Sequence, residues 1–506
     1  MNISVLSYLE NSAAARPDAT AVVEEDRRYT YRQLAEGARR AGTALARMGA
    51  RGCPVGVYME KGFDALRAFM GALYAGGFYS LLSPELPEGR LKLVQSVLDA
   101  PVIVAAEALV DSARALFPGA RVVTPAELDQ CPEDPALLAR IRASAIDTDP
   151  VYVNFTSGST GVPKGIAVSH RSVLDFIDCF TEAFALRRDD VIANQAPFDF
   201  DVSVKDIYSA LKLGATLLIV PRRLFSAPAA LADYLCEGGA TVMIWAVSAL
   251  CLLTTFHALD YRVPERVRAI IYSGEVMPMK HLKQWREHLP GAMFVNVYGP
   301  TEITCNCTYH ILDPERDYEG GVPIGRPFPN EDVFLLDEDD RRIEEPDRTG
   351  EICVRGTALA LGYYAAPEQT AARFTQNPLN GRWPERIYRT GDLGRLDGAG
   401  ELYFCGRKDF QIKHMGHRIE LEEIERAMAA VEGVERCCCT FDEKKSRLTG
   451  YYVGNIDRAA LHARLSEALP VFMVPGALRQ VDEMPLTKNG KIDRKALDAQ
   501  AGGRRA

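Results

Sequence analysis

The sequence has no run of 18 apolar residues, which is the length that a helix needs to cross a bilayer. Its N-terminus lacks a basic start, and Glu10 interrupts the short apolar stretch there, so we expect no secretory signal. There is no basic excess either, because 59 Lys and Arg face 68 Asp and Glu, a net charge of −9. We therefore expect a cytoplasmic protein that binds neither nucleic acid nor membrane.

The twelve cysteines include no C-x-x-C pair. Cys437, Cys438 and Cys439 are consecutive, and Cys305 and Cys307 are two residues apart. Neither spacing fits a zinc site or a disulfide framework. We expect thiols that are buried or half-buried in strands.

The composition is typical of a globular chain, since 47% of the 506 residues are apolar and 25% are charged. Most of the chain alternates helical patterns with short β-branched runs, which favours parallel sheets covered by helices. The periodicity predicts an amphipathic helix at 31–48. Apolar runs predict buried strands at 55–59, 102–105 and 217–220.

The pattern changes near Gly406 to a mixed α+β segment that is long enough for its own core. We expect an α/β large N-terminal domain with helix-covered sheets, plus a small α+β C-terminal domain joined to it by a hinge. The expected boundaries are 1–406 for the large domain, 407–410 for the hinge and 411–506 for the small domain. An ordinary surface loop within one continuous fold is the alternative.

The segment 155–165, FTSGSTGVPKG, combines three glycines, four hydroxyl side chains and Lys164. Glycines let backbone N–H groups turn toward an anion, and the hydroxyls and the lysine add further donors. The segment is not a Walker A loop, because Lys164 lies between Pro163 and Gly165. It indicates a phosphate-binding loop of another kind, with a flexible turn as the alternative.

Three shorter segments carry further chemistry. In 296–302, NVYGPTE, an aromatic ring could face a base, while a hydroxyl and a carboxylate could contact a phosphate and its Mg²⁺. Asp392 follows a glycine, as a ribose-binding carboxylate can. Lys491 follows the turn Asn489-Gly490 and could be delivered into a cleft. Each segment could also be an ordinary turn.

These blocks, in this order, resemble the core motifs of adenylate-forming enzymes, the ANL superfamily. Segments 29–34, 350–364, 406–420 and 469–475 also match, so the resemblance covers nearly the whole chain. The chain is most similar to the amino-acid adenylation domains of nonribosomal peptide synthetases. The resemblance implies that a carboxylic acid reacts with ATP to give an acyl-adenylate, which then passes to the phosphopantetheine thiol of a carrier protein.

The resemblance also implies roles for individual residues. Thr301 would contact the α-phosphate, Glu302 would hold Mg²⁺, and Lys491 would bridge the substrate carboxylate and the α-phosphate. Asp409 would be the hinge about which a mobile C-terminal domain rotates. Among the implied ATP-binding residues, Asn296 and Tyr298 would hold adenine, and Asp392 and Arg407 would bind the ribose. The residues implied for the β- and γ-phosphates are Thr156, Ser157, Gly158, Ser159, Thr160, Gly161 and Lys164, and Gly274, Glu275 and Gly299 are further implied ATP-binding residues.

Asp201 matches the family aspartate that binds the substrate's α-ammonium group, which points to an amino acid. The positions that match the side-chain pocket are Val202, Lys205, Trp245, Ile271, Ser273, Val297, Cys305 and Asn306, with Ala246 as an alternative to Trp245. Lys205 lies four residues after Asp201, so the two could form an intrahelical pair. Alternatively, Lys205 with Asn306 could bind a carboxylate on the substrate's side chain.

Other functions remain open from the sequence. FDVSVKDIY at 200–208 and SGEVMP at 273–278 also resemble D-alanine–carrier protein ligases of teichoic-acid D-alanylation. Against that substrate, Lys205 and Trp245 are large for an alanine pocket, and Ser273 replaces an expected cysteine. An acyl- or aryl-CoA synthetase and a nucleotide-binding module without turnover are the further alternatives. The chain has no carrier-protein or condensation motif, so we expect a stand-alone enzyme with a separate carrier protein.

Overall fold

The computed structural model describes residues 2–158, 161–409, 411–442, 445–486, 492–494 and 496–497. The chain forms two compact units, the first from 1–83, 98–154 and 165–408, the second from 84–97, 155–164 and 409–506. The break after residue 408 falls inside the segment expected as a hinge. Segments 84–97 and 155–164 were expected in the large domain, but they group with the second unit.

Helices in the described residues have the following bounds: α1 Leu6–Ala15, α2 Tyr31–Arg47, α3 Phe63–Tyr74, α4 Glu88–Leu98, α5 Val110–Leu116, α6 Pro125–Asp129, α7 Pro135–Ala143, α8 His170–Ala183, α9 Val202–Leu213, α10 Pro228–Glu237, α11 Val247–Thr255, α12 Ala258–Tyr261, α13 Met279–His288, α14 Pro367–Arg373, α15 Leu421–Ala429 and α16 Arg458–Ala468.

Strands in the same residues are β1 Thr20–Glu24, β2 Arg27–Thr30, β3 Pro54–Tyr58, β4 Phe78–Leu81, β5 Val102–Ala105, β6 Arg121–Val123, β7 Pro150–Thr156, β8 Lys164–Ser169, β9 Val191–Asn194, β10 Thr216–Ile219, β11 Val242–Ala246, β12 Ala269–Ser273, β13 Met293–Tyr298, β14 Thr308–Ile311, β15 Arg326–Pro327, β16 Glu331–Leu336, β17 Arg342–Ile343, β18 Thr349–Gly356, β19 Gly362–Tyr363, β20 Phe374–Gln376, β21 Arg386–Leu396, β22 Leu402–Arg407, β23 Gln411–His414, β24 His417–Glu420, β25 Val434–Asp442, β26 Arg447–Gly454 and β27 Ala477–Gln480.

The first unit is built on two large, mostly parallel sheets and a smaller antiparallel one. One sheet has the order β15-β14-β13-β12-β11-β9-β10-β1-β2, and its strands from β13 to β1 are parallel. The other large sheet has the order β19-β8-β7-β4-β3-β5-β6. Strands β16, β17, β18, β20, β21 and β22 form the antiparallel sheet. Helices between consecutive parallel strands cover the large sheets, as the alternating pattern predicts.

Helix α2 shows how local sequence fixes an element. The side chain of Thr30 accepts a hydrogen bond from the N–H of Gln33, and Gln33 Oε1 accepts one from the N–H of Thr30, so a capping box starts the helix. Its apolar face, including Leu34 and Leu45, is buried in the main core. The helix expected at 31–48 is confirmed, with its end at Arg47.

The second unit has its own apolar core beneath the sheet of β25, β26 and β27. Helices α15 and α16 bury Ile424, Met428, Leu461 and Leu465 there. The three consecutive cysteines at 437–439 lie in β25 as free thiols, buried or half-buried as expected. The observed architecture, α/β followed by a smaller α+β unit, confirms the expected fold class.

Within the described ranges, no helix is both long enough and apolar enough to cross a membrane.

Helices α2 and α3 approach so closely that Gly42 has no room for a side chain. A Cβ there would lie 2.4 Å from Cβ of Tyr74 and 3.3 Å from the carbonyl oxygen of Gly71. We expect Gly42→Ala to lower the free energy of unfolding by about 1–3 kcal/mol, because overpacking forces the helices apart. Urea unfolding followed by circular dichroism measures this. The matched control is Gly291→Ala, where a Cβ meets open space. Equal stability of the two variants would contradict the prediction.

Candidate active site

Apart from Trp245, the expected substrate residues lie on or beside strands that end at one edge of the first sheet. Strands β9, β11, β12 and β13 are parallel, so their carboxyl ends meet there, which is where ligands bind in sheets of this type. Ile271 of β12 and Val297 of β13 are buried in the same apolar cluster as α9. Ser273, at the end of β12, pairs in register with Ala246 at the end of β11. Half-buried Val202 is the first residue of α9.

Four of the expected residues form two pairs that are joined by hydrogen bonds. Nζ of Lys205 donates a hydrogen bond of 2.8 Å to Oδ1 of Asn306. Sγ of Cys305 donates one of 3.0 Å to the carbonyl oxygen of Asp201, which is the N-cap residue of α9. These contacts join the start of α9 to the loop between β13 and β14. Sequence reasoning predicted this grouping, although the two segments are about 100 residues apart.

Lys205 is buried and does not extend to solvent, since only 1% of its surface is exposed. Burial lowers the pKa of Lys205, while Cys305, Asp201 and Asp206 favour its charged form. Burial also raises the pKa of Asp206 to about 7, against the hydrogen bond from Asn194. A buried ammonium ion is costly unless it meets an anion or several acceptors. The bond to Asn306 uses one of the three N–H donors of Lys205.

Trp245 does not join the other substrate residues. It is fully buried, and its Nε1 donates a hydrogen bond of 2.8 Å to the carbonyl oxygen of Ala193. Its ring lies beside that of Phe225. Side chains alternate along a strand, so Trp245 faces a different apolar cluster from Ile244. The side-chain assignment to Trp245 therefore needs correction by one residue, and Ala246 faces the same side as Ile244.

Three of the expected nucleotide residues form a buried polar cluster. The hydroxyl of Tyr298 donates 2.5 Å to Oδ2 of Asp392, and Arg407 forms an ion pair with Oδ1 of the same carboxylate. Arg407 also donates 3.3 Å to the carbonyl oxygen of Thr390. Burial and the neighbouring Asp392 raise the pKa of Tyr298 well above its usual value, so its hydroxyl keeps its proton. Strands β13, β21 and β22 supply these side chains.

The segment after β13 forms a single 3₁₀ turn that carries Thr301 and Glu302. Glu302 is buried, and its Oε1 accepts a 2.8 Å hydrogen bond from the hydroxyl of Tyr363 in β19. Gly299, just before the turn, is required because a Cβ there would lie 2.4 Å from Cα of Asn306. Half-buried Thr301 precedes Glu302, and Nδ2 of Asn296 donates 2.8 Å to the carbonyl oxygen of Pro323.

Two backbone features mark the neighbouring turns. Gly274, with φ of +98°, turns the chain directly after β12, and Glu275 follows it half-buried. Thr304 and Cys305 have φ of +50° and +77°, although neither is glycine. Consecutive left-handed residues of this kind store strain, and such strain is concentrated at functional sites.

In the second unit, the glycine- and hydroxyl-rich segment is in contact with α15 and the strand before it. The N–H of Gly158 donates a hydrogen bond of 3.1 Å to Oε2 of Glu423. Oε1 of Glu423 accepts a hydrogen bond of 2.5 Å from Arg90 of α4. Oγ of Ser157 donates 2.8 Å to the carbonyl oxygen of Arg418. Nη2 of Arg426 donates 3.2 Å to the carbonyl oxygen of Gly158. The amide of Gly158 therefore already binds a carboxylate anion.

The remaining expected residues of this segment are placed as follows. Thr156 ends β7, Lys164 begins β8, and Gly161 turns the chain with φ of +85°. Ser159, Thr160 and Lys491 lie outside the described residues. Asp409 is the first residue of the C-terminal stretch of the second unit, and its Oδ1 accepts 3.3 Å from the N–H of Gln411.

Sequence reasoning missed Tyr363 and Glu423. Tyr363 contacts Glu302 across 61 residues of chain, and Glu423 contacts Gly158 across 265. Tyr363 lies within the matched segment 350–364, which was a usable signal. Glu423 lies in the first turn of α15, and no local pattern in the sequence points to its partner.

Comparison with known proteins identifies the class to which this fold and site belong. The family model of the AMP-binding enzymes matches residues 9–364, and that of their C-terminal domain matches residues 423–491. The chain belongs to the AMP-binding enzyme family, whose members are adenylate-forming ligases that use ATP.

The chain is also similar to individual proteins of peptide synthesis. It is 32% identical to tyrocidine synthase 1 of Brevibacillus parabrevis over 98% of its length, and it spans 45% of that protein. It is 32% identical to zwittermicin A synthase ZmaJ of Bacillus cereus over 98% of its length and 95% of that protein. A solved structure of holo-PA1221, an NRPS protein containing adenylation and PCP domains, is 27% identical with a TM-score of 0.82, covering 98% of this chain and 84% of that one.

Proposed function

We propose that this enzyme activates an amino acid as its aminoacyl-adenylate and transfers it to the phosphopantetheine thiol of a separate carrier protein. A carboxylate oxygen of the amino acid attacks the α-phosphorus of ATP, and the bond to the bridging oxygen breaks to release pyrophosphate. The thiol sulfur then attacks the acyl carbon, and AMP leaves. The similarity to synthases and to a protein with adenylation and PCP domains supports this assignment.

The residues of the first unit supply binding and orientation. Tyr298 and Asn296 hold the adenine, and Asp392 with Arg407 binds the ribose. Thr301 donates to the α-phosphate. The buried cluster of Tyr298, Asp392 and Arg407 supports this role, because it presents polar groups whose positions are already fixed.

The donor chemistry at Glu302 fits Mg²⁺. Its carboxylate is a hard oxygen ligand, and Tyr363 holds its orientation. One protein carboxylate together with phosphate oxygens is the arrangement that Mg²⁺ commonly uses. The ion would neutralise phosphate charge, and Glu302 would hold it.

The loop 156–164 binds the β- and γ-phosphates. The bond from the N–H of Gly158 to Glu423 supports this role, since a backbone amide that binds a carboxylate can bind a phosphate oxygen. Lys491 would stabilise the charge that develops as the carboxylate approaches the α-phosphate. Asp409 would be the hinge between the two half-reactions.

The substrate in this proposal is an amino acid whose side chain ends in a carboxylate. Asp201 binds the α-ammonium group, and Lys205 with Asn306 binds the side-chain carboxylate. The contact between Lys205 and Asn306 carries this inference, because the side chain of Lys205 is buried with an amide oxygen as its hydrogen-bond partner. A substrate carboxylate would complete its coordination.

The alternatives are less well supported. The methyl side chain of D-alanine has no group to pair with the buried Lys205, which opposes a D-alanine–carrier protein ligase. Asp201 opposes an acyl- or aryl-CoA synthetase, because a fatty or aryl acid lacks an ammonium group. Pyrophosphate release over a panel of L-, D- and β-amino acids tests the whole proposal. No release with any of them would refute it.

Loss of Glu423 should strengthen ATP binding. Its carboxylate and a phosphate oxygen both require the N–H of Gly158, so we expect Glu423→Ala, which removes the acceptor, to lower the KM for ATP about three- to tenfold, equivalent to one hydrogen bond. Amino-acid-dependent pyrophosphate exchange at varied ATP measures this. The control is Glu422→Ala, an exposed neighbour on α15. An unchanged KM for ATP would remove Gly158 from phosphate binding.

Loss of Lys491 should slow the chemical step. We expect Lys491→Ala to lower amino-acid-dependent pyrophosphate exchange by about 10²-fold or more, as loss of a transition-state contact does. Lys488→Ala, three residues earlier in the sequence, is the control for a general effect of removing a lysine from this segment. If exchange is unchanged in Lys491→Ala, this lysine has no part in the mechanism.

Changes at Lys205 and Asp201 should separate side-chain recognition from ammonium recognition. We expect Lys205→Met to raise the KM for an acidic amino acid about 10- to 100-fold, through loss of a charge-assisted hydrogen bond. Asp201→Ala should abolish the use of every amino acid. Lys212→Met, on the same helix but paired with Asp178 at 2.6 Å, is the control. If alanine is the best substrate and Lys205→Met leaves it unaffected, the acidic assignment is wrong.

A further inference from the structure

Lys61, which is not among the expected site residues, contacts the chain just before the substrate-binding segment. It lies in the loop between β3 and α3. Its Nζ donates three hydrogen bonds: one of 3.1 Å to the carbonyl oxygen of Asn194, one of 3.0 Å to Oδ1 of Asn194 and one of 2.9 Å to the carbonyl oxygen of Gln195. The carbonyl oxygen of Ala196 is 3.4 Å away. Four oxygens of three consecutive residues thus converge on one cation.

This convergence fixes the backbone where β9 ends. The negative ends of the carbonyl dipoles at 194–196 point toward one place and repel one another without a cation between them. Burial lowers the pKa of Lys61 to about 7, while Asp206 raises it. The oxygens favour the protonated form, because only the ammonium ion has three N–H donors.

The same segment also contacts two walls of the amino-acid site. Nδ2 of Asn194 donates 2.6 Å to Oδ2 of Asp206, which follows Lys205 on α9. Oε1 of Gln195 accepts 3.2 Å from the N–H of Ala246 at the end of β11. Residues 194–196 therefore contact Lys61 and, through Asn194 and Gln195, both α9 and the end of β11.

We propose that Lys61 is a positioning residue for the amino-acid site, holding residues 194–196 so that α9 keeps its place beside the end of β11. The inference rests on the proposed function, because it requires that Asp201 and Lys205 of α9 bind the amino acid. Lys61 itself touches no substrate in this account. Its loss displaces the groups that do.

The first experiment measures pyrophosphate exchange by Lys61→Met with the amino acid that the unaltered enzyme uses best, at pH 6.5. We expect the KM for the amino acid to rise about 10- to 100-fold, as when hydrogen bonds to a charged group are lost. The KM for ATP and the kcat should stay within about twofold, below the effect of one hydrogen bond. Lys283→Met, exposed on α13, is the control. An unchanged amino-acid KM, or an equal rise for ATP, overturns the proposal.

A second set of variants excludes a purely structural role and covers a failure of Lys61→Met to fold. Lys61→Arg keeps the cation and should restore the amino-acid KM to within about threefold, less than one hydrogen bond to a charged group. Asn194→Ala removes the link to Asp206 and should raise the same KM. Lys61 and Asn194 act through one set of contacts. The double variant should therefore raise the KM for the amino acid by less than the product of the two single fold-increases. A fully multiplicative effect, or no effect of Asn194→Ala, overturns the proposal.

The two proposals fail in different ways. If the unaltered enzyme uses a carboxylic acid without an amino group, the proposed function fails, and the same KM comparison is made with that acid. If it uses an amino acid and the Lys61 variants leave its KM unchanged, only the role of Lys61 fails. A selective loss of acidic amino acids in Lys61→Met would instead make Lys61 part of side-chain recognition and contradict a general positioning role.

Discussion

In the first sheet, β9, β11, β12 and β13 run parallel, and this direction places all of their carboxyl ends at one edge. Backbone carbonyls that leave the hydrogen-bonded ladder there need new partners. At the end of β9, Lys61 donates to the carbonyl oxygens of Asn194 and Gln195, and at the end of β11 the N–H of Ala246 is satisfied by the side chain of Gln195. A single consequence of strand direction thus gathers residues from distant parts of the sequence around one place.

The gathered residues include ionisable side chains that a stability argument alone would disfavour. Lys205 and Asp206 are adjacent and buried, and burial opposes the charged form of each. A core of the same shape made from apolar residues would be easier to fold. A buried lysine at position 205 is understandable if a ligand provides a negative charge for it.

The fold and part of the site follow from local sequence features, and the remainder depends on contacts between distant segments. Helix α2 carries its own start signal in Thr30 and Gln33, so its position was predictable. The link between Lys205 and Asn306 was anticipated because both positions match the family pattern. Trp245 and Ala246 are adjacent in β11, so their side chains lie on opposite faces of the sheet. The sequence pattern alone does not decide which of the two faces the substrate, because it does not fix the register of the strand. Lys61 and Glu423 act through partners more than 130 residues away, and nothing near them in the sequence identifies those partners.

The left-handed backbone at Thr304 and Cys305 limits how this enzyme can diverge. Each L-residue in that conformation carries a strain of about 1–2 kcal/mol, and β-branched side chains tolerate it least. In the proposed function, position 305 borders the substrate, so a new specificity would be sought there by exchanging side chains. Glycine, asparagine and aspartate fit the backbone there, whereas valine or isoleucine would require the loop to be rebuilt. The residues that are tolerated at position 305 are therefore restricted by the backbone conformation as well as by the ligand.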